Sequence, residues 1–290
     1  MAAGATELTV PVAARGAEAP TRRAGHSLEL LLPGGFLALL VAACFLWPLV
    51  YKIPPPINGN FVPLLPPLSP GHLFGTDPIG NDVFSRILYG GRVSLEVGLG
   101  VTAIGMVVGG AIGGYAAFKG GVVQAVIMRV LDVFLAFPAL VIALVVADNL
   151  GKNEIDVIWA ISFFAIPANA RIARAATLRY VNQPFMVAAR LGGARDGRVL
   201  VRHVAPNIVP QLLTFGLLTV PIIIFIEAAL DFLSLGIPPP NPSWGNMISN
   251  GYQYLSSDPS LVIIPSAFLL VTVMCFNLVG DALRSRWDLQ

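Results

Sequence analysis

The chain has 290 residues, of which 56% are hydrophobic and only 12% charged, where ordinary soluble domains carry about a quarter charged. With a mean hydropathy of +0.76, this composition excludes an ordinary soluble domain and predicts an all-α, polytopic membrane protein. The formal net charge of +2 is uninformative until the charges are placed, and the two cysteines, Cys44 and Cys275, fall inside apolar runs without a Cys-x-x-Cys, which argues against a disulfide framework or a zinc site.

Residues 1–28 are rich in Ala, carry Arg15, Arg22 and Arg23, and hold little to bury, so a disordered tail is expected there. The apolar run from about Leu28 to Val50 is longer than a signal-peptide core, lacks a small-x-small cleavage site and precedes further spans. Residues 29–51 are therefore read as a retained first transmembrane helix. Residues 52–91 form an outer loop. It opens with Ile-Pro-Pro-Pro at 53–56 and continues through Pro63, Pro66, Pro67 and Pro70, a composition that favours a stiff extended chain.

That loop leads into His72-Leu-Phe-Gly75-Thr76-Asp77-Pro-Ile-Gly80-Asn81-Asp82-Val-Phe-Ser85-Arg86, followed by Tyr89, Gly90, Arg92, Ser94 and Leu95. Asp77-Pro78 reads as an N-cap followed by proline at N1, so a turn or short helix starts there. Asp82 is expected to cap a further short helix that lays Val83, Phe84, Ile87 and Leu88 against the membrane or the bundle. His72, Asp77 and Asp82 are conceivable metal ligands. Turn and cap roles account for both aspartates, and no metal is expected.

Residues 92–283 hold a five-helix core, with spans at about Val93–Phe118, Val122–Ala147, Ile155–Leu178, Ile208–Leu235 and Leu261–Leu283; each is near or above the roughly 20 residues that cross a bilayer. Residues 284–290 are a short tail. The second span is crowded with glycine: Gly105 and Gly109 form a Gly-x-x-x-Gly, as do Gly109 with Gly113 and Gly110 with Gly114. Such faces let helix backbones pack closely in lipid, here against a neighbour in this chain or another. Pro138 and Pro221 are expected to kink the third and fifth spans.

Residues 179–207 lie between apolar spans yet carry Arg179, Arg190, Arg195, Arg198 and Arg202, with Arg174 just before them. Pro184 suits the first turn of a helix. Phe185, Ala188, Ala189 and Gly192 then fall at i, i+3, i+4 and i+7 and make one face on which another protein can approach closely. Gly192-Gly193 stops that helix. Arg195, Arg198 and Arg202 share a face of a second short helix, which Pro206 is expected to end. On charge alone the segment is also readable as a basic loop that only sets topology or touches anionic lipid.

Beyond the fifth span the chain reads Glu227-Ala-Ala-Leu-Asp231-Phe-Leu-Ser-Leu-Gly236-Ile-Pro-Pro-Pro240-Asn-Pro-Ser243-Trp244-Gly245. Glu227 and Asp231 share a helix face, and a carboxylate in a membrane span must face protein or water. Either they line the outer pathway or a gate, or they pair with Arg86, Arg92 or backbone donors at the outer rim. Trp244 is expected to anchor at the membrane interface.

Three of these segments resemble known ones. Ala188-Ala189, Gly193 and His203-Val-Ala-Pro206-Asn207 look like the EAA loop of ABC-importer permeases, with Val187 where that family has glutamate. Gly75-Thr76-Asp77, Gly80, Asp82, Ser85-Arg86 and the residues to Leu95 are similar to the outer motif of the C-type permease subunit of dipeptide, oligopeptide and nickel importers, with Asn81 at a usual arginine. The Glu227–Gly245 segment resembles the same family's fifth-span exit, with Asp231 at a usual serine and Ser234 at a usual glycine. The resemblance implies the ABC importer type I permease fold with six transmembrane helices and a cytoplasmic coupling-helix loop. It implies coupling to the ATPase through Phe185, Ala188, Ala189, Gly192, Gly193, His203, Pro206 and Asn207. The partners it implies are a second paralogous permease subunit, cytoplasmic P-loop ATPase subunits, an extracytoplasmic peptide-binding protein, a peptide substrate and membrane lipid, with no nucleic acid. ATP and magnesium would be bound by the ATPase, and this chain would hold no cofactor.

Six spans put both termini on one side. If that side is the cytoplasm, it holds fourteen of the eighteen Lys and Arg, leaving Lys52, Arg86, Arg92 and Lys152 outside, so the positive-inside rule selects this orientation in a bacterial cell membrane. Lys52, Lys119 and Lys152 are the only lysines and none precedes Ser or Thr, so no Gly-x-x-x-x-Gly-Lys-[Ser/Thr] exists. No Gly-x-Ser-x-Gly or His-Glu-x-x-His occurs, and the chain is expected not to be an enzyme by itself. Peptide is favoured over nickel because no intramembrane His, Cys or Met cluster offers a soft-metal route; glutathione remains an alternative. A self-contained channel or secondary transporter is the reading from a different class. It would use Glu227 and Asp231 as a relay but leaves the docking segment without a role.

Overall fold

The computed structural model describes residues 26–50, 59, 61–138, 141, 145 and 153–287. Most of the expected N-terminal tail, the Ile-Pro-Pro-Pro segment and most of the third span beyond residue 138 lie outside the described residues. The helices are α1 (His26–Val50), α2 (Val83–Lys119), α3 (Gly121–Leu135), α4 (Glu154–Tyr180), α5 (Pro184–Leu191), α6 (Asp196–Phe232), α7 (Trp244–Tyr252) and α8 (Ser260–Trp287). Among the described residues, α1, α2, α4, α6 and α8 are the 5 helices long and apolar enough to cross a membrane. The first part of another expected span is α3. Among the described residues there is no strand, only isolated bridges from Ser69 to His72 and from Thr76 to Asp82 in the outer loop.

The second span differs from expectation at its start. Asp82 accepts a hydrogen bond from the Ser85 N–H at 2.8 Å and caps a helix, but that helix is no separate outer piece. It runs without a break for 37 residues, Val83–Lys119. Gly90 and Gly91 do not interrupt it, because they serve packing: a Cβ on Gly91 would stand 2.6 Å from the Trp244 ring and 2.8 Å from Cys44 Sγ. Val83, Ile87 and Leu88 are buried in the bundle rather than spread on lipid.

The glycine stripe of α2 has its neighbour within this chain. A side chain on Gly105 would meet Asn169 Nδ2 at 2.7 Å, and one on Gly109 or Gly113 would collide with the carbonyls of Ile166 or Ala170, all on α4. Backbone contact this close permits no Cβ, which is the physical reason for the repeated glycine. The helix widens into a π turn over Gly105–Gly109, where it meets α4. On the other side, Gly98 of α2 approaches Ile224 of α6.

Around α6, which touches α2, α4, α7 and α8, the interior divides into three apolar clusters. One surrounds Trp244 with Leu40, Cys44, Ile87, Leu95 and Ile224. A second joins Val97 and Val101 of α2 to Val157 and Ile161 of α4 and Leu230 of α6. The third gathers Phe118, Ala173, Met186, Val204 and Ile208 at the arginine-rich end. Trp244 is therefore not an interfacial anchor as expected: it is fully buried, and its Nε1–H donates to the Ile87 carbonyl at 3.1 Å. That single bond satisfies the indole and lets the whole ring fill the space left by Gly91.

Candidate functional site

At the arginine-rich end, Pro184 opens α5 at a position whose N–H is not needed. The helix is only 8 residues long, too short to be stable alone. What holds it is Met186, which has no exposed surface and packs with Phe118 of α2, Ala173 and Ala176 of α4, and Val199, Val204 and Ile208 of α6. The flexible thioether suits a gap where three helix ends converge. The remaining apolar side chains point outward: Phe185 is 43%, Val187 47% and Leu191 84% exposed. Ala188 and Gly192 are exposed as well, and Ala189 is half-buried, so the small-residue face read from the spacing is present as a surface.

The end of α5 is built by glycine. Gly193 has φ of +75°, and the Ala194 N–H reaches back to the Ala189 carbonyl at 3.2 Å, the six-to-one bond of a Schellman turn. Nothing lies within 4 Å of where a Gly193 side chain would project, so that position is open space. The turn is tied to α2 by an ion pair of 2.6 Å between Lys119 Nζ and Asp196 Oδ2.

The second helix of this segment is not short. From Asp196 it continues for 37 residues to Phe232, so Pro206 does not end it. A π turn over Leu200–Val204 precedes Pro206, which sits at the start of the α-helical stretch that follows. There the interrupted register spares the missing N–H and the ring clash that a proline brings to a regular helix. Asn207 donates through Nδ2 to the His203 carbonyl at 2.6 Å, and Arg195, Arg198 and Arg202 are all exposed.

At the opposite end, Glu227 is fully buried and Asp231 is 4% exposed. The Ser94 hydroxyl donates to Glu227 at 3.2 Å, joining α2 to α6. Asp231 accepts from the Ile237 N–H at 2.6 Å and from the Ser243 hydroxyl, and Ser243 in turn caps α7 by accepting from the Asn246 N–H at 3.0 Å. One carboxylate thus folds the segment from Phe232 to Trp244 back onto its own helix. A side chain on Gly236 would collide with that carboxylate, and one on Gly245 would stand 2.5 Å from Ala228 Cα. Of the partners expected for the two acids, Asp231 has a backbone donor, the Ile237 N–H, and neither acid pairs with Arg86 or Arg92. Arg86 lies 3.4 Å from Asp77, and Arg92 bonds Glu96 at 2.8 Å.

The outer motif is a knot of turns. Asp77 Oδ1 accepts from the N–H groups of Ile79 at 3.0 Å and Asn81 at 2.8 Å, so it closes a turn rather than opening a helix. Asn81, at the usual arginine, donates to Asp77 at 2.8 Å and accepts from the Gly59 N–H at 2.9 Å. Thr76 Oγ1 donates to the Val62 carbonyl at 2.6 Å and accepts from the Leu65 N–H at 2.8 Å. Gly75 and Gly80 carry φ of +75° and +78° where the carbonyls of Leu65 and Phe61 approach them. His72 Nδ1 pairs with Asp82 at 2.8 Å. Among the described residues, no group of three or more His, Cys, Asp or Glu converges as a metal site would require.

Sequence reasoning did not single out Met186, Ser94 or Ser243. Ser243 had a signal, since a serine directly before a helix is a cap. Met186 had none beyond falling out of line with the small-residue face.

The chain is similar to known proteins. The family model for the binding-protein-dependent transport system inner membrane component matches residues 105–288. The glutathione transport system permease protein GsiD of Pectobacterium atrosepticum is 37% identical, over 76% of this chain and 73% of its own length. The oligopeptide transport system permease protein OppC of Bacillus subtilis is 36% identical, over 77% and 73%. A putative peptide transport system permease protein of Brucella suis is 35% identical over 92% and 88%. Among solved structures, the MetNI methionine ABC transporter in an inward-facing conformation aligns with a TM-score of 0.57 at 16% identity, covering 70% of this chain and 97% of that one, which shows the same fold. The chain is a multi-pass membrane permease and belongs to the family of binding-protein-dependent transport system inner membrane components.

Proposed function

We propose that this chain is one of two membrane subunits of an ATP-driven importer of dipeptides and oligopeptides, with both termini in the cytoplasm and ATP hydrolysed by separate P-loop subunits. The carrying observation is α5. It is a short helix outside the spans, clamped to three helix ends by buried Met186, and it presents Phe185, Val187 and Leu191 to the surface beside a row of exposed arginines. Exposed apolar side chains on a rigid platform suit a partner's groove, and the arginine excess supports a cytoplasmic side for that platform. An ATPase seated there would move α5, and α5 would carry the motion through Met186 to α2, α4 and α6 together. Family membership in a binding-protein-dependent system replaces the self-contained channel or secondary transporter considered above.

Peptide is the substrate class that the relatives' names support, since one is named for oligopeptide, one for peptide and one for glutathione, itself a tripeptide. The test is ATP-dependent uptake of a labelled dipeptide by cells that express the chain with its native neighbours. Gly193→Trp should abolish uptake at normal membrane levels, because it puts a bulky side chain into the open docking space and strains a backbone at φ of +75°. Unchanged uptake by Gly193→Trp would remove α5 from the coupling role.

A further inference from the structure

We infer that the inner half of the translocation pathway runs along one stripe of α4, over the ion pair of Asp132 and Arg171 and into a cavity walled by Arg179, Gln211 and Arg284. The inference rests on the importer reading for which end faces the cytoplasm.

Arg171 Nη2 of α4 meets Asp132 Oδ1 of α3 at 2.5 Å, yet the two side chains are 53% and 42% exposed. At 1.5 Å per residue, Arg171 stands about 14 Å from the cytoplasmic end of α4, and Asp132 about 16 Å along α3. Arg171 lies inside the candidate span Glu154–Tyr180 rather than at its end, and Asp132 lies inside α3. A charged pair left open inside a membrane span faces water or protein rather than lipid.

The polar surface continues toward the cytoplasm. Ala175 and Arg179 follow Arg171 at four-residue spacing, so they form one slowly turning stripe. Both line a cavity of about 530 Å³ between α4, α6 and α8, whose other polar walls include Tyr180, Gln211, Thr214 and Arg284. The outward face of α1 is different: Leu31, Leu32, Leu39 and Leu46 are all more than half exposed, which suits lipid. Arg179 with the amide of Gln211 and the hydroxyls of Tyr180 and Thr214 around a space of this size suits a solute that ends in a carboxylate, as a peptide does. The pair of Asp132 and Arg171 presents both signs of charge, as a zwitterionic solute requires.

The experiment uses inside-out membrane vesicles that hold the complete complex without ATP. Ala175→Cys is treated with a charged, membrane-impermeant methanethiosulfonate reagent, with Leu39→Cys on α1 as the lipid-facing reference. The native Cys44 and Cys275 are buried, so the unsubstituted chain supplies the background. The expected result is that Ala175→Cys reacts at least tenfold faster than Leu39→Cys. Equally slow reaction at both positions overturns the assignment and puts the stripe in a dry contact with a neighbouring subunit. Labelling requires no transport, so the two readings fail separately. Slow labelling in a complex that imports peptide removes the stripe alone, whereas fast labelling in one that does not import peptide keeps the stripe and removes the peptide.

Discussion

Replacing Asp231 with alanine strips the acceptor from two buried donors, the Ile237 N–H and the Ser243 hydroxyl. An unsatisfied buried donor costs about 1–3 kcal/mol. Asp231→Ala should therefore lower the melting temperature of the detergent-extracted chain by several degrees and loosen the segment before α7; proteolysis of that segment, compared with the unsubstituted chain, is the direct check. Glu227→Gln keeps an acceptor for the Ser94 hydroxyl and should leave both stability and uptake close to normal. Uptake lost at an unchanged melting temperature would instead put Glu227 in the pathway. The full burial of Glu227 and the protein donors around both acids support the packing role.

At the scale of elements, α5 is the part whose attachment can be cut without touching its surface. Met186→Ala removes a buried anchor, a change that costs about 2–5 kcal/mol in a packed core. The spans should stay folded while α5 detaches, so the variant should insert normally but lose its ATPase on extraction; full retention of the ATPase would contradict the anchoring role. Elsewhere, Gly109→Leu should prevent α2 and α4 from meeting, because its side chain would collide with the Ile166 carbonyl, and the expected readout is loss of the chain from the membrane.

The elements were legible where a local signal decides them: the Asp82 cap, the proline start and glycine end of α5, and the Gly-x-x-x-Gly stripe. They were misread where long-range packing decides. Gly90-Gly91 gave no sign that a tryptophan ring more than 150 positions away fills the space beside them, and the same ring looked like an interfacial anchor because nothing local reveals burial. Pro206 looked like a stop because a π turn in the preceding residues leaves no pattern of its own in the sequence. Backbone donors to Asp231 were among the expectations, but which ones could not be read, because they belong to a loop whose return path is tertiary.

For the whole molecule, the fold places two kinds of surface at opposite ends of one bundle. The outer end is closed by turns that spend their polar groups on one another: Asp77, Asn81, Thr76 and Asp231 all bond within the chain. The other end leaves the apolar side chains of Phe185, Val187 and Leu191 on the surface beside exposed Arg195, Arg198 and Arg202, as one part of a larger machine would. The most direct measurement is to tag the chain after Gln290, extract it in mild detergent from cells that express its native neighbours, and identify what co-purifies. The account predicts a P-loop ATPase together with a second multispanning protein. A homo-oligomer of this chain alone would contradict it.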